Sequence, residues 1–419
     1  MEKYRINVIL LASVSLLVHT GIGIIFPIFP KILEEWGKGA LELGILAGSY
    51  GVTYVIFSPI FGSWADKYGK KKIIVIGLFG FGISNLLFVF AIYLDIFEIL
   101  LIARGIEGIF ASAVFPASIA MVSDIVPEKE RAKNIGIVSA GAGIGLVIGP
   151  VLGGFLYNIS IEFPFYVSAG LAFLTVVWAY TALSATEINV NQNEKLIIDK
   201  DKTGFVNAIK RTYRILPNPK SAFFIFVLVD MASLISWMLV QPGISFYIYN
   251  DLLLTPTDFG FFVAAYGLFA AIGEGFLGTF SDKVGRRPMI FLGSLLNALF
   301  FVALLNATNL MGMVIAAIIA GMSLGFMAPA MKALISDAAK KENRTMVIGT
   351  ASGLTFIGTI IGPILGGFLY DRLSMSFLFK LSIGISIIGA LLSIFLVFNP
   401  VQQNIKTQDL YEISATMGN

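Results

Sequence analysis

Apolar stretches of about 20 residues recur along this chain, with polar breaks between them, and each is long enough to cross the hydrocarbon core of a bilayer as a helix. The first stretch runs too long for a signal peptide and lacks a small-x-small cleavage site, so we expect it to be retained. The sequence predicts twelve spans, near 6–29, 41–61, 72–94, 97–124, 134–157, 162–184, 221–249, 257–280, 288–306, 309–336, 344–370 and 375–398.

The composition supports a polytopic membrane protein. Of the 419 residues, 57% are hydrophobic and 13% are charged, whereas a soluble domain carries about a quarter charged residues. The lack of Cys excludes disulfides, Cys-type zinc sites and iron–sulfur clusters, and a single His excludes a multi-His metal centre. The net charge of +3 is too small to suggest a nucleic-acid partner. We expect no cofactor.

The distribution of Lys and Arg predicts the orientation. With the N-terminus inside, 23 basic residues fall in inner segments and 4 in outer loops. Because cytoplasmic loops carry the excess of basic residues, both termini are predicted to be cytoplasmic, in a multi-pass protein of the cell membrane.

One long polar connection divides the spans six and six. The predicted organisation is an N-terminal bundle over 1–184, a cytoplasmic linker over 185–220, a C-terminal bundle over 221–400 and a cytoplasmic tail over 401–419. Within the linker, 204–215 could form a basic amphipathic helix on the inner leaflet, although a solvated linker explains the same charges.

The two halves repeat each other in sequence. Residues 62–71, after the second span, match 278–287, after the eighth, at an offset of 216. Residues 149–157 match 362–370 at an offset of 213. Six spans duplicated in parallel orientation are typical of transporters whose substrate lies between the halves near the bilayer midplane. The predicted fold class is therefore all-α, with two pseudo-symmetric six-helix bundles.

These motifs resemble those of the major facilitator superfamily, in particular its twelve-span drug:proton antiporters. The loop after span 2 matches the family signature G-x-x-x-D-[RK]-x-G-[RK]-[RK], and span 5 matches G-P-x-x-G-G from Gly149 to Gly154. Span 4 carries Arg104 and, where the family has Gln, Glu107. The family often has Asp in span 1 where this sequence has Val18, next to His19.

The loop signature predicts a latch on the cytoplasmic side. Gly69 permits a backbone with positive φ, and a carboxylate such as Asp66 can meet a helix N-terminus, whose dipole favours anions. The resemblance implies that Asp66 meets the start of span 11, at 344–349, and that Asp124 pairs with Lys70. A plain turn with stop-transfer charges is the simpler alternative. The predicted latch residues are Gly62, Asp66, Lys67, Gly69, Lys70, Asp124, Asp282, Arg286 and Asp337.

A stripe of small residues follows one face of span 5. Glycines four residues apart share a helix face and allow two membrane helices to approach closely. Pro150 within the stripe removes a backbone hydrogen bond and favours a kink. Plain helix packing explains part of this pattern, and a pliable, tightly sealed helix at a moving interface is the functional interpretation. The stripe comprises Gly141, Gly145, Gly149, Pro150, Gly153 and Gly154, and span 11 repeats it with Gly358, Gly362, Pro363 and Gly366.

Ionisable residues within spans are the candidate coupling groups, because each costs about 2.5–3.5 kcal/mol at a helix centre. Arg104 and Glu107 are three residues apart and could neutralise each other as a structural pair, or Glu107 could accept protons. Asp230 should face the cavity. Glu274 could serve the cavity or the second loop latch. His19 is either a proton carrier or a hydrogen-bonded packing residue.

The candidate substrate cavity is amphipathic. Its predicted residues are Arg104, Tyr50, Tyr54, Trp237 and Gln241. The leading hypothesis is a proton-coupled, multidrug-type exporter of amphipathic or cationic small molecules that works as a monomer by alternating access. A symporter or facilitator for a sugar or another metabolite is the alternative. No catalytic constellation or P-loop is present in the sequence, so we expect a transporter driven by an ion gradient rather than an enzyme.

Overall fold

The computed structural model describes residues 3–183, 214, 221–337 and 344–396. The predicted linker, apart from Arg214, and the predicted tail lie outside the described residues, as does the possible amphipathic helix. Side chains of Asp282 and Asp337 are also outside the described part.

The described residues form thirteen α-helices and one π-helical turn, Tyr247–Asp251. The helices are α1 (Lys3–Ile25), α2 (Phe29–Glu35), α3 (Ala40–Tyr68), α4 (Lys70–Leu94), α5 (Phe97–Ile125), α6 (Glu128–Tyr157), α7 (Phe163–Ala182), α8 (Ser221–Phe246), α9 (Pro256–Val284), α10 (Arg286–Asn306), α11 (Leu310–Asp337), α12 (Arg344–Arg372) and α13 (Met375–Ile394).

The helix pattern agrees with the twelve predicted spans. Within the described residues, eleven helical segments are long and apolar enough to cross a membrane, with α1 and α2 counted as one segment, Tyr4–Glu35. The remaining predicted span, 344–370, is α12, a helix of 29 residues. The all-α, twelve-span prediction is confirmed.

The sequence duplication reappears as a duplicated packing scheme. In the first half α1 packs on α6 and α7, and α5 packs on α3 and α4. In the second half α8 packs in the same way on α12 and α13, and α11 packs on α9 and α10. The halves meet mainly through two equivalent interfaces, α6 with α9 and α3 with α12. The helix bundle is therefore two copies of one six-helix unit.

The tight turn in the loop signature also occurs twice. Gly69, between α3 and α4, has φ of +97°, and Gly285, between α9 and α10, has φ of +101°. This region of backbone conformation is easily accessible to glycine, which explains why both copies of the motif need it. The predicted positive φ at Gly69 is confirmed.

Polar side chains tie the helices of the second half together. The Asn297 amide on α10 donates to the hydroxyls of Ser236 on α8 and Ser386 on α13, at 3.0 Å each. Ser382 on α13 donates to the Ser236 carbonyl at 2.9 Å. Within lipid such bonds have few competitors, so they fix α8, which carries several site residues.

Large apolar side chains cover the outside of the bundle. Phe90, Leu174 and Ile388 are each more than half exposed. Around a membrane-spanning bundle such side chains meet lipid tails rather than water, so this surface agrees with a multi-pass membrane protein.

Candidate substrate cavity and coupling residues

We distinguish two ends of the bundle. The basic end is where α3 ends and α4 begins, and it carries Lys67, Lys70 and Arg286. The far end is where α3 and α9 begin and where α6 and α12 end.

A cavity of about 1130 Å³ lies between the two halves. Its walls come from α1 and α6 of the first half and from α8, α9 and α11 of the second. Apolar residues such as Ile22, Phe26 and Phe262 dominate the walls. Among the described lining residues, Glu274 is the only acidic or basic side chain. The cavity therefore suits a bulky apolar molecule that carries at most a positive charge.

At the far end the halves touch through glycines. A Cβ added at Gly154 would lie 2.5 Å from the Cα of Thr257, and one at Gly367 would lie 2.7 Å from the Cα of Leu41. Each glycine thus allows the backbone of one half to press against the first turn of a helix in the other half. Both interfaces close the far end of the cavity.

Toward the basic end the halves separate. Ser139 and Gly143 of α6 and Ala271 and Glu274 of α9 line the cavity at this level instead of packing on each other. A Cβ added at Gly143 would meet nothing within 4 Å. The cavity is therefore open toward the basic end.

Aromatic residues form one wall of the cavity. Trp237 on α8 and Tyr266 on α9 are stacked, with ring centroids 5.8 Å apart and planes at 14°. Phe300 supports Trp237 from behind at 5.7 Å. A flat aromatic surface beside a carboxylate suits a planar cation, because the ring faces and Glu274 attract the same charge.

The sequence analysis identified Trp237 and Gln241 but missed Tyr266. Both predicted residues line the cavity. Tyr266 lies 216 residues after Tyr50, which is the offset of the loop duplication. Aligning the two repeats would therefore have identified Tyr266 as the counterpart of Tyr50.

Arg104 and Glu107 form a buried ion pair, as the spacing predicts. The Arg104 guanidinium donates to Glu107, whose side chain is 0% exposed. The guanidinium also lies 4.5 Å from the ring centre of Tyr50 and 5.2 Å from that of Phe29. Within the described part of the chain, Arg104 Nε and Glu107 Oε1 have no hydrogen-bond partner. The pair is thus held mainly by its own charges and by two aromatic faces.

The pair lies beside the large cavity rather than on its wall. Arg104 lines a second pocket of about 30 Å³, and Gln241 lines both pockets. Tyr50 and Tyr54 are absent from the lining of the large cavity, and they stack on each other with centroids 5.9 Å apart. The structure thus places Arg104, Tyr50 and Tyr54 off the wall of the large cavity, and Gln241 joins that wall to the small pocket of Arg104.

Asp230 on α8 is a partly buried acidic group. Its carboxylate is near Thr355 of α12 and Lys332 of α11. Asp230 does not line the large cavity, but it precedes Trp237 by seven residues on α8 and therefore shares its face. About 10 Å along the helix separates the two residues.

Glu274 and His19 have contrasting surroundings. Glu274 is exposed on the cavity wall, so the structure favours the cavity over the loop latch for this residue. His19 shares a hydrogen bond of 2.7 Å between Nδ1 and the Ser15 carbonyl, and its ring meets Phe115 edge-on at 5.4 Å. His19 therefore occupies a packing position within the first half.

The latch residues at the basic end are only partly assembled. Lys70 pairs with Asp124, as expected, and lies 3.4 Å from Asp66. The Asp66 side chain is 75% exposed, and its described ionic partner is Lys70. The side chains at the start of α12 lie mostly outside the described residues, so the expected contact between Asp66 and this helix start stays a prediction. The Lys70–Asp124 pair lies within one half, so it does not cross the interface.

The remaining latch residues have simpler surroundings. A Cβ added at Gly62 would meet nothing within 4 Å. Lys67 lies over the ring of Tyr68 at 5.1 Å, and Arg286 is the first residue of α10.

The small-residue stripe of α6 packs against α1, as predicted. A Cβ added at Gly149 would lie 2.7 Å from the Cα of Gly23, and one at Gly145 would lie 2.8 Å from the Thr20 nitrogen. Gly153 is equally tight against the Ile24 backbone. On a neighbouring face of α6, Pro150 and Gly154 contact α9, so the helix serves both the interior of its half and the interface between halves.

Comparison with known proteins agrees with this architecture. The family described as the Major Facilitator Superfamily matches residues 11–232 and 226–410. Multidrug resistance protein 1 of Bacillus subtilis (strain 168) is 28% identical over 372 residues, covering 88% of this chain and 91% of that protein. The quinolone resistance protein NorA of Staphylococcus aureus is 27% identical over 378 residues, covering 90% of this chain and 92% of that protein.

Solved structures share the fold. A bacterial homolog of the human lysosomal transporter Spinster, in an inward-facing and unoccupied conformation, superposes with a TM-score of 0.79 at 16% identity, covering 94% of this chain and 97% of that one. The nucleoside transporter NupG superposes with a TM-score of 0.75 at 13% identity, covering 93% and 99%. With the family matched along nearly the whole length, the chain belongs to the major facilitator superfamily of membrane transporters.

Proposed function

We propose that this protein is a proton-coupled exporter of amphipathic, cationic small molecules that works by alternating access. The observation that carries the proposal is the cavity between the halves, which is large, mostly apolar, lined by stacked Trp237 and Tyr266, and supplied with one carboxylate, Glu274. Such walls fit an aromatic cation and offer few partners to a sugar, whose hydroxyls need many hydrogen bonds.

The orientation follows from the charge distribution. If the basic end lies in the cytoplasm, as the excess of Lys and Arg there favours, the cavity is open inward and closed outward. This is the state in which an exporter collects its substrate from the cell. The protein then functions in the cell membrane, and nothing in the proposed cycle requires more than one copy of the chain.

Coupling is assigned to carboxylates that can hold either a proton or a cation. Glu274 is on the cavity wall, and Asp230 lies on the Trp237 face of α8. A substrate cation that replaces a proton at such a group links the two movements, since both cannot be bound there at once. Glu107 is the third candidate and exchanges protons only if its pair with Arg104 opens during transport.

The names of the relatives are consistent with drug export. The two Bacillus subtilis relatives are named for multidrug resistance, and NorA is named for quinolone resistance. At 26–28% identity these names support a substrate class rather than a particular compound.

The test uses purified protein in sealed liposomes with an acidic interior. A fluorescent quaternary aromatic cation cannot cross the bilayer as a neutral base, so its accumulation against its own gradient reports coupled exchange. We expect accumulation driven by the pH gradient, no response to a sodium gradient, and no uptake of labelled sugars. Uptake of a sugar, or accumulation of the cation only with sodium, would overturn the proposal.

The pH dependence of transport separates the coupling candidates. We expect Glu107→Gln, which restores the family's residue, to keep substrate binding and lose part of the pH dependence, with Asp230→Asn losing the rest. If Glu107→Gln shows the wild-type profile, Glu107 is a structural partner of Arg104, and Asp230 is the next candidate. Glu274→Gln should weaken cation binding itself, because it removes the charge from the cavity wall.

A further inference from the structure

A polar contact joins the two halves at the far end, beside the glycine contact of α3 and α12. Asp371, in the last turn of α12, accepts hydrogen bonds from the backbone N–H groups of Ala40 at 3.1 Å and Leu41 at 2.9 Å. These two residues begin α3 in the opposite half. One carboxylate of the second half thus contacts the helix start of the first.

The start of α3 has no side chain of its own that can do this. The first N–H groups of a helix have no partner within the helix, and the residue before α3 is Gly39, which lacks a side chain. Glu42 turns back to the Gly39 nitrogen at 3.0 Å, so it is already engaged. Asp371 therefore supplies a cap from another part of the chain, with a negative charge where the helix dipole favours one.

Among the described residues, the equivalent interface between α6 and α9 has no such contact. Gly154 packs against the start of α9 as Gly367 packs against the start of α3. The start of α9, however, is capped from within: Asp258 accepts from the Thr255 nitrogen at 2.8 Å, and Thr255 Oγ1 accepts from the Asp258 nitrogen at 3.2 Å. At the repeat offset of 213, Asp371 corresponds to the neutral Asn158.

We propose that Asp371 is a positioning residue that holds the far end closed while the cavity is open at the basic end. Opening the far end requires α12 to leave α3, which breaks both hydrogen bonds and leaves the start of α3 uncapped. Close backbone packing at the duplicated glycines closes both interfaces. Asp371 adds hydrogen bonds from a charged carboxylate to only one of them. This inference rests on the alternating-access part of the proposed function and is independent of substrate and coupling ion.

The test measures the position of the halves directly. The chain has no Cys, so spin labels can be placed at Tyr93→Cys and Met311→Cys, two exposed residues in the far-end parts of opposite halves. Pulsed electron paramagnetic resonance gives the distribution of distances between them without substrate or a proton gradient. We expect Asp371→Ala to raise the ratio of far-end-open to far-end-closed molecules about tenfold, the effect of losing a strong helix cap.

Two further variants serve as controls. Asp371→Glu keeps the charge and should restore most of the closed population, whereas Asn158→Ala, at the duplicated position, should leave the distribution unchanged. An unchanged distribution in Asp371→Ala, or an equal shift in Asn158→Ala, would overturn the proposal. This experiment measures no transport. If the protein does not carry cations, the distance measurement still tests the role of Asp371, and if Asp371 has no such role, the proposed substrate class is unaffected. Elution as a single species and unfolding temperature show whether each variant is folded.

Discussion

The buried pair of Arg104 and Glu107 allows a sharp test of what two charges contribute inside the first half. Replacing either residue by Met keeps the approximate volume and leaves the other charge without its ionic partner. Two unit charges about 4 Å apart attract each other by about 4 kcal/mol at an effective dielectric constant of about 20. Removing one member of a buried pair costs about 3–5 kcal/mol, because the remaining charge is uncompensated.

The two single variants should not lower the free energy of unfolding in the same way. In Glu107→Met, the guanidinium keeps the ring faces of Tyr50 and Phe29, which contribute about 0.5–2 kcal/mol to a cation. In Arg104→Met, the carboxylate of Glu107 has no described hydrogen-bond donor left, but it can become neutral by taking up a proton, whereas a guanidinium cannot lose its charge. We therefore expect the loss in free energy of unfolding caused by Arg104→Met to grow as the pH is raised, whereas the loss caused by Glu107→Met does not.

The double variant completes the cycle. Replacing a buried pair by apolar side chains of similar size is often neutral or stabilising, so the Arg104→Met, Glu107→Met protein should be more stable than either single variant. The measurement is reversible unfolding in mixed micelles of dodecyl maltoside and sodium dodecyl sulfate, followed by circular dichroism. If the two single losses add within about 0.5 kcal/mol, the side chains do not act as a pair and the reasoning is wrong.

Three further predictions concern the latch, the topology and the glycine stripe. Asp66→Asn should slow transport without loss of folded protein, because the state closed at the basic end would lose the attraction between the carboxylate and the start of α12. Normal turnover at matched protein levels would show that this contact is dispensable. A Cys placed at position 190 should react with an impermeant maleimide only after the cells are opened, and labelling of intact cells would reverse the predicted orientation. Gly153→Ala should lower the unfolding temperature, because its Cβ would lie 2.8 Å from the Ile24 carbonyl carbon. Gly143→Ala should not, because its Cβ would meet no atom within 4 Å. Equal unfolding temperatures for the two variants would contradict the packing argument.

The fold was accessible from the sequence because lipid imposes strong rules on a chain. Spans must be long and apolar, turns such as those at Gly69 and Gly285 need glycine, and a duplicated sequence implies a duplicated packing scheme. The pairs Arg104–Glu107 and Lys70–Asp124 were also predictable. Arg104 and Glu107 are close in sequence. Lys70 and Asp124 lie at the ends of neighbouring helices on the basic side of the bundle.

The arrangement of the site was less accessible. Helix periodicity indicates which residues share a face, but the rotation of each helix within the bundle decides whether that face meets the cavity, a neighbour or lipid. Tyr50 and Tyr266 occupy equivalent positions in the two repeats, yet one packs on Arg104 and the other lines the cavity. The contact of Asp371 with Ala40 and Leu41 joins residues more than 300 positions apart, so no local sequence pattern predicts it.

The most direct test of the proposed coupling is whether binding the cation releases a proton. Purified protein in detergent, in a weakly buffered solution, is titrated with a quaternary aromatic cation while binding is followed by fluorescence and free protons by a pH electrode. If the cation and the proton compete for the carboxylates at the cavity, protons should be released in proportion to the cation bound. The number of protons released per cation bound should rise as the pH is lowered and the free carboxylates become protonated, and it should fall in Glu274→Gln or Asp230→Asn. Saturable binding with no proton release at any pH between 5.5 and 8.5 would contradict proton-coupled exchange at this cavity.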